Sequence, residues 1–125
     1  MARDLDERLL NYGVRVIKLV QALPPGLAGR RIGDQLLRSG TSVGANYEEA
    51  QGAESKADFI HKLQVSLKEL RESLYWLRLI AGAELISTDK MAGLIDEATQ
   101  LRAILSKSVA TAKENAKKEK AKTNE

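Results

Sequence analysis

The 125-residue chain has no cysteine. That excludes disulfides and thiolate metal sites, and it fits a reducing compartment. Histidine occurs once, as His61. Asp58 and His61 share the spacing of a metal-binding helix turn, but a carboxylate-bridged di-metal bundle needs two such turns and two further glutamates. One chain therefore lacks a complete site, and neither a metal nor a cofactor is expected. Prolines number two, adjacent at Pro24 and Pro25, and aromatic residues make up 4%. No apolar run approaches the ~20 residues needed to span a bilayer. The N-terminal MARDLDERLL is acidic where a signal peptide is basic and then apolar. A soluble, cytoplasmic protein without a membrane partner is the expectation.

What is abundant is Leu, Ala, Glu, Lys and Arg, residues that lose little rotamer freedom in a helix. The length favours one domain. Leu5, Leu9, Tyr12, Val16, Leu19 and Leu23 alternate spacings of four and three, predicting an amphipathic helix over about 4–23. It stops at the two prolines. A second helix is expected from about 27–30 to 53, with Ile32, Leu36, Ser39, Val43, Asn46 and Ala50 as its inner stripe. A third, over about 55–81, carries the heptad set Ile60, Leu63, Leu67, Leu70, Leu74, Leu77 and Ala81, with Ser55 as a cap and Asp58 three residues on. A fourth, capped by Thr88 or Asp89, continues through Met91, Leu94, Ala98, Leu101, Leu105, Ser108 and Ala112. Four such helices with short connections predict an all-α fold, an antiparallel up-down-up-down four-helix bundle. The bundle is expected over residues 1–113. Residues 114–125 read as a basic tail that frays.

The net charge of +3 is uneven: residues 1–99 hold 13 Lys/Arg and 14 Asp/Glu, whereas residues 100–125 hold 7 and 3. A basic tail binds nucleic acid in some settings and is a solvated helix end in others. On the third helix, Lys68, Arg71, Tyr75 and Arg78 fall on one side, a combination suited to phosphate contacts and base stacking. Ion pairs of Lys68 with Glu69 or Glu72 are the alternative. With Arg102 these are the nucleic-acid candidates, for RNA or DNA. Nearly opposite the heptad stripe lie Val65, Trp76 and Leu79, candidates for a self-association interface. The alternative is that Trp76 lies in a widened core.

The stretch RSGTSVGANYEEA looks like a loop or a phosphate cradle but is neither. It lacks the lysine of a P-loop and a preceding strand, and Ser39, Thr41 and Ser42 have no obvious base. No catalytic residue is assigned, and a non-enzyme is expected. The stretch keeps helical period, so Ser39, Gly40, Val43, Gly44, Asn46 and Glu49 are read as a structural motif. Gly40 and Gly44 admit a neighbouring helix, and Asn46 and Glu49 are expected to hydrogen-bond to the third helix near Lys62 or Ser66.

That stretch, followed by DFIHKLQVSLKELRESLYWL, closely resembles the four-helix-bundle family named for the 23S rRNA intervening-sequence proteins. The shared pattern falls on Arg38, Ser39, Ser42, Val43, Ala45, Asn46 and Glu49, then Phe59, Lys62, Leu63, Glu69, Trp76 and Leu77. The likeness covers about residues 5–112. It implies an all-α bundle assembling as a homopentameric ring, encoded in many cases within rRNA gene insertions and without an assigned activity. A related branch, the accessory variability determinant of diversity-generating retroelements, is a basic pentamer that binds a reverse transcriptase and nucleic acid. Likeness to that branch would give Lys68, Arg71, Arg78 and Arg102 a nucleic-acid role.

Overall fold

The computed structural model describes residues 2–123 and contains four helices: α1 (Ala2–Ala22), α2 (Leu27–Gln51), α3 (Lys56–Gly82) and α4 (Thr88–Thr123). Among the described residues there is no strand. α1 packs on α2, α2 most extensively on α3, and α3 on α4, while α1 and α4 close the bundle more thinly. The helices thus follow chain order around the bundle, and short connections make neighbours antiparallel, as the periodicity predicts. The α1/α2 side and the α3/α4 side lie opposite each other.

Local chemistry accounts for the ends. Gly26 precedes α2 at φ 134°, a backbone conformation that favours glycine. Three residues on, a Cβ at Gly29 would collide with the Pro24 carbonyl oxygen, so glycine keeps this corner tight. The Ser55 side chain caps α3 as expected, accepting from the Asp58 amide at 3.0 Å. α4 starts one residue early: the Ser87 carbonyl accepts from the Lys90 and Met91 amides, so Thr88 is already helical.

At the end of α3 the Leu85 amide donates to the Ile80 carbonyl and the Glu84 amide to that of Ala81, a Schellman closure. It places Glu84 at φ 57°, where a side chain carries a steric cost. Glu84→Gly is expected to raise stability by about 1 kcal/mol, read as a higher denaturation midpoint at unchanged slope.

Residues 114–123, set apart above as a tail, continue α4 as helix. Ala, Lys and Glu favour that state, and Lys56, at the start of α3, pairs with Glu119 midway along this stretch.

The core follows the predicted stripes. Leu9, Tyr12, Leu36, Val43, Leu70, Leu77, Leu101 and Leu105 are all essentially inaccessible. Inside it runs a polar chain. The Tyr12 hydroxyl donates to Ser73 Oγ at 2.7 Å, and Ser73 donates to the Leu70 carbonyl at 2.9 Å. Both hydroxyls are thereby satisfied. Burial pushes the Tyr12 phenol up to about 12, against a smaller opposing effect of the Ser73 hydrogen bond. The folded state therefore holds this proton more tightly than the unfolded state. Stability is full below about pH 10 and is expected to fall by about 2–3 kcal/mol as pH rises through 12. Tyr12→Phe should remove that alkaline loss while lowering stability near neutrality by about 1 kcal/mol; denaturant titrations between pH 8 and 12 read both.

Candidate functional site

The small-residue stretch lies wholly within α2. Ser39 donates to the Gln35 carbonyl at 2.8 Å, Thr41 to Leu37 at 2.6 Å and Ser42 to Arg38 at 2.6 Å. These hydroxyls are spent on their own helix. Gly40 and Gly44 do admit a neighbour, and that neighbour is α1: a Cβ at Gly40 would stand 2.8 Å from Val16 Cγ1, and one at Gly44 3.5 Å from the Leu9 carbonyl.

The expected bonds from Asn46 and Glu49 to α3 are corrected. Asn46 Nδ2 turns back to the Ser42 carbonyl at 2.8 Å, and Glu49 is exposed. The α2–α3 link is instead made by Ser66, which donates to the Val43 carbonyl at 2.7 Å. A short hydroxyl reaches a carbonyl between two closely packed helices, whereas Asn46 is only half-buried and has a nearer acceptor one turn back.

On the α2/α3 side, Arg38 pairs with Glu69 at 3.1 Å and with Glu72, and Glu72 also accepts from Trp76 Nε1 at 3.0 Å. Val65, Trp76 and Leu79 share this side and are half-buried. Trp76 leans against the core rather than pointing away from it. An indole is wide enough to reach the core edge from a flanking position while its N–H stays on a carboxylate.

Glu69 and Glu72 are held by Arg38, and the alternative pairs of Lys68 with them do not form. Lys68, Arg71, Tyr75 and Arg78 line up on the α3/α4 side, all exposed. Lys68 and Arg71 border a cleft of about 420 Å³ whose α4 wall includes Ser106 and Lys113. Arg102, half-buried, lies one turn from Ser106 on the same row. The structure thus brings all five nucleic-acid candidates to one side.

The α1/α2 side carries a feature that one stripe per helix does not reveal. Leu10, Val14 and Ile17 are 67%, 41% and 40% exposed and wall a groove of about 480 Å³, floored by Gly13, Gly44 and Ala45. Asp6, Glu7 and Glu48 rim one end. Asp6 Oδ1 is buried there without a hydrogen-bond partner. Burial, and then the charges of Asp6 and Glu48, raise the nearby Tyr47 phenol.

Across the thin α1/α4 seam, Arg8 grips Glu97 in a fork, Nε to Oε2 at 3.1 Å and Nη2 to Oε1 at 2.7 Å, which lowers the Glu97 carboxyl. His61 is exposed, and Asp58 pairs with Lys62 at 3.3 Å. Among the described residues no cluster of His, Asp or Glu could hold a metal, and no helix is long and apolar enough to cross a membrane.

The family model for the 23S rRNA-intervening sequence protein matches residues 7–107. The chain belongs to that family. Within the 23S rRNA-intervening sequence family, it is similar to the crystal structure of a protein of unknown function, assigned to the S23 ribosomal protein family, from Bacteroides thetaiotaomicron VPI-5482. The two are 34% identical over 84% of this chain and 97% of that one, with a TM-score of 0.75. No curated protein matches the chain. The family match spans the α2 motif and the α3 heptads, the two stretches on which the resemblance rests.

Proposed function

We propose that this member of the 23S rRNA-intervening sequence family is a non-enzymatic scaffold working as a homopentameric ring. The observation that carries the reading is the open apolar row Leu10, Val14 and Ile17 on α1. Three large aliphatic side chains spaced four and three apart form a continuous stripe, and a stripe over a groove marks a contact surface.

Its counterpart is the half-buried row Val65, Trp76 and Leu79 on the next side of the bundle. Two different faces pairing head to tail make a heterologous interface, which closes into a ring when the rotation allows. The subunit number, five, is what the family resemblance implies. The occupant of the groove is the α3 row of a second copy, with the groove's small residues making room for Trp76. Sedimentation velocity at micromolar concentration should give five times the 13.7 kDa chain mass. A single-chain mass would overturn the assembly.

A further inference from the structure

We propose that the α3/α4 cleft binds single-stranded nucleic acid, with Lys68, Arg71, Arg78, Arg102 and Lys113 on its phosphates and Tyr75 stacked on a base. The inference goes beyond the ring and does not rest on it, because this side lies opposite the α1/α2 groove and none of its cations belongs to the Val65–Leu79 row.

The first support is charge without partners. Among the described residues none of the five cations forms an ion pair with a carboxylate. The acids nearest in sequence to Lys68 and Arg71, Glu69 and Glu72, are turned to the α2/α3 side by Arg38 and, for Glu72, also by the Trp76 indole. The sorting leaves one side of α3 positive and the other nearly neutral. Cations left unpaired along a cleft attract a polyanion by releasing its counterions.

The second support is the aromatic. Tyr75 is 56% exposed and stands between Arg71 and Arg78 on the same row. Behind it Trp76 braces the ring edge-on, with centroids 5.2 Å apart and planes at 70°. The contact steadies the phenol while more than half of the residue stays open to solvent. Stacking needs a base outside a duplex, and an aromatic set among cations is how strands are held without sequence preference.

The third is shape. From Lys68 to Arg78 the row is about 15 Å long, and Arg102 and Lys113 flank it from α4. A concave strip between two helices follows a flexible strand better than a rigid duplex. The site would take on the order of four nucleotides.

Fluorescence anisotropy with the full chain and a labelled, uridine-rich RNA of about 12 nucleotides at about 50 mM salt tests the proposal. Binding is expected. Tyr75→Ala should weaken it by about 5- to 100-fold with the salt dependence unchanged. Arg71→Gln should weaken it and lower the slope against log salt by about 0.7, one phosphate on a single strand. Arg71→Glu with Arg78→Glu should abolish it, whereas Arg31→Glu, the same charge change per site on an exposed α2 residue, should leave it nearly intact. Any of four results would overturn the proposal: no binding; an equal loss with Arg31→Glu; equal affinity for a duplex of the same length with no effect of Tyr75→Ala; or equal affinity for polyglutamate. Circular dichroism confirms that each variant is folded.

Discussion

Val14→Glu is expected to turn the proposed ring into single chains without unfolding them. Val14 sits at the centre of the row, between Leu10 and Ile17, and is 41% exposed in the isolated chain. A glutamate there points into solvent when the chain is alone. Glutamate is also the better helix former, so the monomer should keep its stability within about 0.5 kcal/mol. In the assembled ring the same carboxylate would be buried against aliphatic and aromatic side chains. The charged residues that line the groove, Asp6, Glu7 and Glu48, are all acidic, and Lys18, one helical turn on and exposed, lies outside that lining. An unpaired buried charge costs about 3 kcal/mol or more, which is more than a hundredfold in affinity at each contact. Sedimentation should then show one-chain mass at concentrations where the parent is a ring. Trp76→Ala supplies the opposite wall. It should also dissociate the ring, but with some loss of monomer stability, because Trp76 packs on the core and holds Glu72. Leu27→Glu, at a residue 63% exposed but outside the groove, should change neither. A ring unaffected by Val14→Glu would place the interface elsewhere.

How much of this was legible in the sequence depends on what each residue's position obeys. Leu5, Leu9, Tyr12 and Val16 were legible as core because α1 is unbroken and periodic, and the α3 heptads for the same reason. The same arithmetic applied twice to α1 would also have found Leu10, Val14 and Ile17, since they repeat four and three apart on a second face. Trp76 shows a different limit. An angle of projection places its Cα, but the width of the indole and the position of Glu72 decide where the ring rests. Partners distant in sequence were the least accessible. Nothing local says that Arg38 would take Glu69 and Glu72, 31 and 34 residues away, and thereby leave Lys68 unpaired. Likewise Ser66 found the Val43 carbonyl because helix packing brought the two together, while Asn46, the more conspicuous polar residue, was satisfied one turn back. The candidate nucleic-acid row itself was visible as spacing; only the fold shows that Lys113 faces it across a cleft, with Arg102 one turn from Ser106 on the same α4 row.

The motif glycines give the largest expected change in the fold itself. Gly40→Leu should destabilise the bundle by about 3 kcal/mol or more, at the upper end of overpacking costs. Glycine in a helix interior normally costs about 1 kcal/mol relative to alanine, so replacing it would ordinarily help. At Gly40 the gain is outweighed. The first carbon added would already stand 2.8 Å from both methyls of Val16 and 3.2 Å from its Cβ. Val16 is fully buried, and a β-branched side chain in a helix has essentially one rotamer, so it has nowhere to turn. Either the valine leaves its rotamer or α1 moves off α2. Gly44, one turn on, is the control. Its added carbon would meet the backbone and Cβ of Leu9 at 3.5–3.6 Å, ordinary contact, so Gly44→Ala should stabilise by up to about 1 kcal/mol. Opposite signs at two glycines four residues apart distinguish close approach from a general need for flexibility. The cause can be isolated further. Val16→Ala alone leaves a cavity and lowers stability, and Gly40→Ala alone forces the clash. If the two carbons compete for one space, the double variant should be more stable than the sum of the two losses predicts by about 1 kcal/mol or more, measured by urea denaturation at unchanged slope. Strict additivity would show that Gly40 is retained for some reason other than its contact with Val16.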